Sequence, residues 1–253
     1  MTVTIVLPFH QDERLAADVI PFDGFSTVEP DLPDSGQWHR LTVLFDALAD
    51  AVAAAHRQGP VVVLTGDCLA GTGTLAGLQR AGVDPGVVWF DAHGDSNTLA
   101  SSTSGYLGGT SLRMLMGGDP ERLTGPLGLR AVAQERCVLV GARDLDPAER
   151  DFLAGSPVRR SDVEALTAQL LPEGPLLLHV DLDVADPEEV PGLLFPTTAG
   201  PTVRSVTDAV ARVTATGRVA ALEIACTWHA AGSPGRRQAR RALLDGLIAT
   251  VAG

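Results

Sequence analysis

Short apolar runs alternate with longer amphipathic segments along the chain. The runs consist mainly of Val, Leu and Ile with little polar alternation, a pattern typical of parallel strands buried on both faces. Six strands are predicted, at 3–7, 61–65, 86–90, 137–141, 175–180 and 218–224. Helical spacing of apolar residues predicts helices over 39–57, 70–81, 161–170, 202–215 and 235–251. This alternation predicts one α/β domain with a parallel sheet.

The segment 21–38 departs from this alternation. It combines prolines with acidic residues and shows neither helical nor strand periodicity. Connections of this length without regular structure are uncommon inside compact domains. The segment is therefore predicted to be a long loop, and the most mobile part of the chain.

Polar clusters follow the predicted strands at the point where each strand ends. In open α/β sheets, ligands bind beyond the carboxyl ends of the strands, so residues placed there can meet in one site. The clusters are "GDC" at 66–68, "DAHGD" at 91–95, "RDLDPAE" at 143–149, "DLD" at 181–183 and Glu223. The sequence therefore predicts a functional site at this edge of the sheet.

The spacing of two of these clusters predicts a metal centre. Asp91, Asp95, Asp181 and Asp183 would repel one another strongly in a buried site unless cations compensated their charge. His93 adds one imidazole, and oxygen-dominated ligation with one imidazole favours manganese over zinc. The excess of carboxylates favours two ions. Taken singly, each aspartate could instead cap a helix or stabilise a turn.

Composition narrows the class of partner. The 253 residues carry a formal net charge of −12, which argues against nucleic acid or an anionic membrane as a partner. Three scattered cysteines do not form a disulfide framework, so a reducing cytoplasm is expected. The N-terminal "MTVTIVLPFH" lacks a basic region and is predicted to be a first strand rather than a signal peptide.

Four motifs carry a family resemblance. "GDC", "DAHGD", "HVDLDVADP" and "ALEIA" resemble, in order and spacing, the signature blocks of the arginase and agmatinase (ureohydrolase) family over residues 60 to 225. The resemblance implies a single domain over residues 1–253, with a three-layer α/β/α fold around a mostly parallel eight-stranded sheet. It also implies two Mn²⁺ per chain, whose bridging hydroxide attacks a guanidinium carbon. Such chemistry is consistent with the lowered pKa of metal-bound water.

The resemblance assigns roles to individual residues. One manganese ion would be held by Cys68, Asp91, Asp95 and Asp181, and the other by His93, Asp91, Asp181 and Asp183, with Asp91 and Asp181 bridging. Asp95 and Glu223 are the implied catalytic residues, and Glu223 would lie near the substrate guanidinium. His179 is predicted to be a packed, hydrogen-bonded core residue, and His10 a surface or loop residue.

Two positions depart from the family pattern. The first block of the family ends in histidine, where this chain has Cys68. A thiolate can replace the imidazole; alternatively, Cys68 is a small buried residue and one metal is lost. Further along, "SGYLGG" places Gly108 where the family carries a proton-shuttling histidine. Glycine cannot transfer a proton.

The implied substrate contacts favour an α-amino acid. Asn97 and Ser104 match residues that bind the substrate α-carboxylate, and Tyr106 occupies the position of a substrate-binding asparagine. Asp146 and Glu149 match residues that hold the α-amino group, although Asp-Pro-x-Glu is also a helix-capping pattern. The expected partner is therefore a small guanidino amino acid, and a monomer is favoured over an oligomer.

The missing histidine narrows the expected substrate. An N-hydroxyl group lowers guanidine basicity and supplies an oxygen to the site, so a hydroxyguanidine should need less help than arginine. The combination resembles the branch of the family that cleaves Nω-hydroxy-L-arginine to hydroxyurea and L-ornithine in D-cycloserine biosynthesis. The alternatives are an arginase, another guanidino-acid ureohydrolase, or a family member that binds metal or a guanidino ligand without turnover.

Overall fold

All six predicted apolar runs form strands. The computed structural model describes residues 2–21 and 25–252, without the side chain of residue 252. Within these ranges the strands are β1 Val3–Leu7, β2 Phe9–His10, β3 Glu13–Arg14, β4 Ser26–Thr27, β5 Val61–Thr65, β6 Gly86–Phe90, β7 Cys137–Val140, β8 Arg159–Ser161, β9 Leu176–Asp181 and β10 Val219–Ala225. The additional strands are two or three residues long, too short for a periodicity to reveal.

Eight of the strands form one sheet in the order β4-β1-β5-β10-β9-β6-β7-β8. Every neighbouring pair in this sheet is parallel. The remaining two, β2 and β3, pair with each other in the antiparallel sense. The predicted parallel eight-stranded sheet is confirmed, and its central strands β5, β10, β9 and β6 all end at the same edge.

Alternate residues of the central strands face different helical layers. Val61 and Val63 of β5 belong to one buried cluster, while Val62 and Leu64 belong to the other. Each fully buried aliphatic side chain of this kind contributes about 1.5–3 kcal/mol to stability. The helices are α1 Gln37–His56, α2 Gly71–Arg80, α3 Ser111–Leu115, α4 Pro147–Gly155, α5 Val203–Thr214 and α6 Pro234–Ala252. Helices α1 to α4 cover one face and α5 and α6 the other, which gives three layers.

The predicted helix over 161–170 is wrong. Ser161 ends β8, and the segment then forms turns and a short 3-10 turn at Ala168–Leu170. The guanidinium of Arg212 on α5 donates hydrogen bonds to the carbonyls of Val163 and Leu166. These carbonyls are therefore satisfied from a neighbouring helix, and the apolar spacing reflects core packing of a loop.

The predicted loop over 21–38 is only partly loop. Residues 22–24 lie outside the described residues, β4 occupies Ser26–Thr27, and α1 begins at Gln37. Strand β4 pairs with β1 at the edge of the sheet. Because β4 forms through this pairing with a distant segment, local strand propensity does not predict it. Within the described ranges, the helices are either too short or too polar to cross a membrane.

Candidate metal centre and substrate cavity

A cavity of about 230 Å³ opens at the carboxyl edge of the central strands. The six predicted metal ligands all line it, and so do five of the six predicted substrate contacts. These residues are Cys68, Asp91, His93, Asp95, Asp181, Asp183, Asn97, Ser104, Tyr106, Asp146 and Glu149. The sheet register brings them together, because each follows a strand that ends at this edge.

Asp91, His93 and Asp183 form one potential metal-binding group. One ligand atom from each lies within 4.8 Å of the others. His93 Nδ1 lies 3.1 Å from Asp183 Oδ2 and 3.3 Å from Asp91 Oδ1. The backbone amide of His93 donates to Asp91 Oδ1 at 2.7 Å, which fixes the turn after β6. This group coincides with three of the four ligands predicted for the second manganese ion.

Asp91 also belongs to a second potential metal-binding group, with Cys68 and His179. Cys68 Sγ donates a hydrogen bond to Asp181 Oδ2 at 2.8 Å. The other oxygen of Asp181 accepts from Thr227 Oγ1 at 2.9 Å. Asp91 is thus common to both groups, as a bridging ligand would be, while Asp181 is held next to the thiol.

Asp95 has an orphaned carboxylate oxygen. Its Oδ2 is buried, and no described residue hydrogen-bonds it. The backbone of Asp95 has a φ of 46°, the left-handed region that non-glycine residues adopt uncommonly. Its carbonyl oxygen accepts from Arg113 N at 2.9 Å, which anchors the turn to α3. A buried carboxylate oxygen without a donor is costly unless a ligand or cation occupies it.

Burial and mutual repulsion dominate the electrostatics of the buried carboxylates and of the Cys68 thiol. Burial, followed by the charge of Asp91, raises the pKa of Asp183 to about 6. Burial and neighbouring carboxylates raise the pKa values of Asp95 and Asp181 well above the usual range. Burial also raises the pKa of Cys68, followed by repulsion from Asp181. A cation reverses this balance, because it favours the deprotonated forms.

His93 responds in the opposite sense. Burial alone would lower its pKa, but hydrogen bonds to Asp183 and Asp91 raise the pKa of the imidazole to about 12. For Asp91, burial is outweighed by hydrogen bonds and charge from His93, so its pKa is lowered. A protonated His93 therefore partly compensates the charge of the carboxylates of Asp91 and Asp183.

The residues present fit a pair of divalent cations. Four buried carboxylates, an imidazole, a thiol and an orphaned Asp95 oxygen surround one cavity. Asp91, His93 and Asp183 would hold one cation, and Cys68, Asp91, Asp95 and Asp181 would hold the other. Oxygen-rich ligation with nitrogen suits Mn²⁺, while the Cys68 thiol adds a softer ligand to the first site, which it shares with Asp91, Asp95 and Asp181.

Other residues of the cavity lining carry polar groups suited to an amino-acid head. Asn97 Nδ2 donates to Asp146 Oδ2 at 3.0 Å. Ser104 is exposed at the cavity mouth, and its Oγ accepts from the backbone of Tyr106 at 3.2 Å. Asn97 and Asp146 therefore offer an amide and a carboxylate side by side, which suits a zwitterionic group.

Glu149 acts mainly as a scaffold. Its Oε2 accepts from the backbone amide of Asp146 at 3.0 Å and completes the capping box of α4. Its Oε1 accepts from Ser96 N at 2.9 Å and so ties α4 to the turn that carries Asp95. A Cβ at Gly94 would lie 2.7 Å from this oxygen, so glycine permits the close approach. Both carboxylate oxygens are engaged, and the capping interpretation of this motif holds.

Tyr106 occupies the space beside Gly108. A Cβ at position 108 would lie 2.6 Å from Tyr106 Cζ and 2.7 Å from its hydroxyl oxygen. The hydroxyl donates to Asp67 Oδ2 at 2.7 Å. The ring stacks on His10 at 5.7 Å and contacts Phe195 at 4.7 Å between centroids. His10, half-buried and predicted to be a surface or loop residue, is thus also part of the wall that holds Tyr106.

Glu223, for which the family pattern implies a substrate contact, lies apart from the residues that line the cavity. Glu223 is fully buried within β10 and does not line the cavity. One of its oxygens accepts a hydrogen bond from Thr74 Oγ1, and the other lies 2.9 Å from His179 Nδ1. Its side chain points into the layer beneath the cavity floor, since β10 continues two residues beyond it. Thr227, just past the strand, lines the cavity instead.

Phe195 and Thr227 also line the cavity, although no sequence motif assigns them to the site. Phe195, 37% exposed, lies at the mouth against Tyr106, and Thr227 orients Asp181. Both follow segments without a distinctive motif, so only the folded chain reveals them. His179 was correctly predicted to be buried and hydrogen-bonded, but its proximity to Cys68 and Asp91 was not predicted.

Comparison with known proteins identifies relatives of the chain. An arginase of Eremothecium gossypii is 34% identical, over 69% of this chain and 48% of the relative. An arginase of Bacillus subtilis is 34% identical over 55% of this chain and 51% of the relative. The chain thus spans about half the length of these curated relatives.

Solved structures share the fold. The arginase from Bacillus caldovelox superposes with a TM-score of 0.83 at 24% identity, covering 100% of this chain and 98% of that one. The agmatine ureohydrolase of Thermoplasma volcanium gives a TM-score of 0.65 at 17% identity, covering 99% and 89%. The sequence model of the Arginase family matches residues 27–231, which include every candidate metal ligand. This chain belongs to the arginase family.

Proposed function

We propose that the protein is a two-manganese amidinohydrolase that cleaves Nω-hydroxy-L-arginine to hydroxyurea and L-ornithine. In this reaction the oxygen of a water molecule bonds to the guanidino carbon. The bond from that carbon to the δ-nitrogen of ornithine breaks, and the nitrogen leaves with a proton. When bound, a pair of divalent cations lowers the pKa of water and supplies hydroxide near neutral pH.

The chain's own residues position the substrate in this proposal. Asn97 and Asp146, 3.0 Å apart, bind the amino-acid head, and Ser104 extends the polar contact at the mouth. The buried carboxylates among the candidate metal ligands attract the cationic or polar guanidino end. The amino-acid head and the reacting carbon are thereby held at opposite ends of one cavity, which removes much of the entropic cost of alignment.

Asp95 is the proposed acid–base residue. Its Oδ2 is buried without a described hydrogen-bond donor, and it shares the cavity with the candidate metal ligands. A carboxyl in that position can hold a proton and release it to the leaving nitrogen. Glu223 has no place in this scheme, because Thr74 and His179 engage its carboxylate.

The observation that carries the substrate assignment is the Tyr106 ring beside Gly108. The ring fills the volume that a side chain at position 108 would need, so the cavity has no imidazole there to shuttle a proton. A substrate with a less basic guanidine depends less on such a group. Because the curated relatives are arginases, arginine hydrolysis is the second candidate.

Product assays on manganese-loaded protein test the assignment. Ornithine, urea and hydroxyurea would be quantified after incubation with arginine, Nω-hydroxy-L-arginine and agmatine, with Asp183→Asn as the inactive control. We expect hydroxyarginine to give the highest kcat/KM and agmatine, which lacks the α-carboxylate, the lowest. A higher kcat/KM for arginine would reject the hydroxyarginine assignment, and absence of every product would favour a binding protein.

A further inference from the structure

His179 is a buried imidazole with one nitrogen left over. It lies in β9 and is fully buried, with its ring stacked on Trp89 at 3.5 Å between centroids. Its Nδ1 lies 2.9 Å from Glu223 Oε1, whereas no described residue hydrogen-bonds its buried Nε2. Most buried polar atoms in proteins are paired, so an orphaned nitrogen in the middle of a sheet needs an explanation.

The surroundings of His179 supply one. A ring nitrogen of His179, Sγ of Cys68 and a carboxylate oxygen of Asp91 lie within 4.8 Å of one another. Because Glu223 engages Nδ1, Nε2 is the nitrogen that remains available to a cation. Metal-bound histidines commonly place their second nitrogen against a carboxylate, which orients the ring and increases its basicity.

We infer that His179 is a metal ligand through Nε2, and that Glu223 is its positioning residue. This assignment rests on the proposed two-metal site. The first site then contains the Cys68 thiolate, the Asp91 carboxylate and the His179 imidazole. The imidazole absent from position 68 is supplied from β9, and Thr74 completes the chain by donating to Glu223. The buried carboxylate of Glu223 thereby orients a metal ligand, a role that is unrelated to substrate binding.

The alternative is a histidine that serves only packing, through its stack on Trp89 and its hydrogen bond to Glu223. Two substitutions separate these roles. His179→Asn can keep a donor near the position of Nδ1 but removes Nε2. His179→Gln can retain an oxygen or nitrogen near the position of Nε2. Both lose the aromatic ring, so a packing role predicts similar defects, whereas a ligand role predicts that only the Asn variant loses the metal.

Mn²⁺ titration of the full chain, followed by calorimetry and by the change in Tm relative to EDTA-treated protein, provides the readout. We expect His179→Asn to bind the first-site ion about tenfold more weakly or worse, and His179→Gln to bind it more tightly than the Asn variant. His56→Gln is the control, since His56 also has a buried ring nitrogen that no described residue hydrogen-bonds, but it belongs to neither potential metal-binding group. Wild-type affinity in His179→Asn would overturn the assignment.

A second measurement decides the matter if the His179 variants do not fold. Pulsed electron paramagnetic resonance detects imidazole nitrogen coupled to Mn²⁺, and His93→Ala removes the other candidate imidazole. Nitrogen coupling that persists in His93→Ala must then come from His179. A bound ion without such coupling, or a protein that binds no ion, would overturn the assignment. Neither result depends on turnover, so failure of the hydroxyarginine assignment remains distinguishable.

Discussion

The close packing of Tyr106 against Gly108 predicts how much stability the protein loses when one methyl group is added at position 108. Gly108→Ala should destabilise the protein, because the new Cβ would lie 2.6 Å from Tyr106 Cζ, against a preferred carbon–carbon separation of about 3.5–4.0 Å. Either the ring or the turn must move by roughly 1 Å. Forced overpacking of this kind costs about 1–3 kcal/mol.

The Tyr106 anchor sets the upper limit of that cost. Its hydroxyl donates to the Asp67 carboxylate at 2.7 Å, and a hydrogen bond to a charged group contributes about 1.5–3 kcal/mol. If the steric strain exceeded this value, the Tyr106 ring would move out of its position. The loss of stability would then not increase further. Both routes give about 1–3 kcal/mol, which corresponds to a fall in Tm of about 2–12 °C for a chain of this size.

Gly109→Ala is a matched control in the same 3-10 turn. A Cβ at Gly109 would meet no heavy atom within 4 Å, and its φ lies outside the left-handed region. Alanine should therefore leave stability unchanged or raise it by about 0.4–1 kcal/mol. In a Tyr106→Ala background the cost of Gly108→Ala should disappear. Equal Tm values for Gly108→Ala and Gly109→Ala, measured by differential scanning calorimetry, would refute the steric argument.

Three other predictions follow from the site. Asp91→Ala should lose both manganese ions, whereas Asp183→Ala should lose one; equal metal content in the two variants, measured by mass spectrometry, would contradict a shared Asp91. Asp146→Ala should raise KM for an α-amino acid substrate more than tenfold, for a lost charged hydrogen bond of roughly 1.5–3 kcal/mol. The same variant should lose about 1 kcal/mol of stability with its helix cap, so KM and Tm are measured together, and an unchanged KM would leave Asp146 a cap alone. In EDTA, stability should fall as the pH rises from 6 to 8, because burial raises the pKa of Asp183 to about 6 and that of Asp181 well above its usual value. Raised carboxyl pKa values stabilise the fold fully below the unfolded value of about 3.9 and lose that effect as the pH passes the folded value. A higher Tm in EDTA at pH 8 than at pH 6 would contradict this sign.

The sequence predicts correctly those features of the fold and the site that depend only on residue type and on position at a strand end. The apolar runs predicted the long strands, and the parallel sheet then placed Asp91, Asp181 and Cys68 in one cavity. The prediction failed at 161–170, where Arg212 satisfies backbone carbonyls from a distance of some fifty residues along the chain. Glu223 is fully buried within β10, whereas Thr227, four residues further along the chain, lines the cavity, and strand periodicity does not predict this difference.

Glu223 and Tyr106 show that the contacts of a side chain indicate its role more directly than its position in a motif does. The family pattern implies a substrate contact for both, and in the fold each is also held by partners remote in sequence. Glu223 is engaged by Thr74 and His179, and Tyr106 by Asp67.

Asp67 also connects the two departures from the family pattern. Its Oδ1 accepts from Leu69 N at 2.8 Å and caps the turn that carries Cys68, while its Oδ2 accepts from the Tyr106 hydroxyl. A change at position 106 therefore acts on the carboxylate that shapes the turn around the thiol. The ring beside Gly108 and the turn that carries Cys68 are consequently joined through one carboxylate. A histidine placed at 68 or at 108 alone would leave Asp67 and Tyr106 in the arrangement that suits Cys68 and Gly108. Neither substitution by itself therefore recreates the family's usual site.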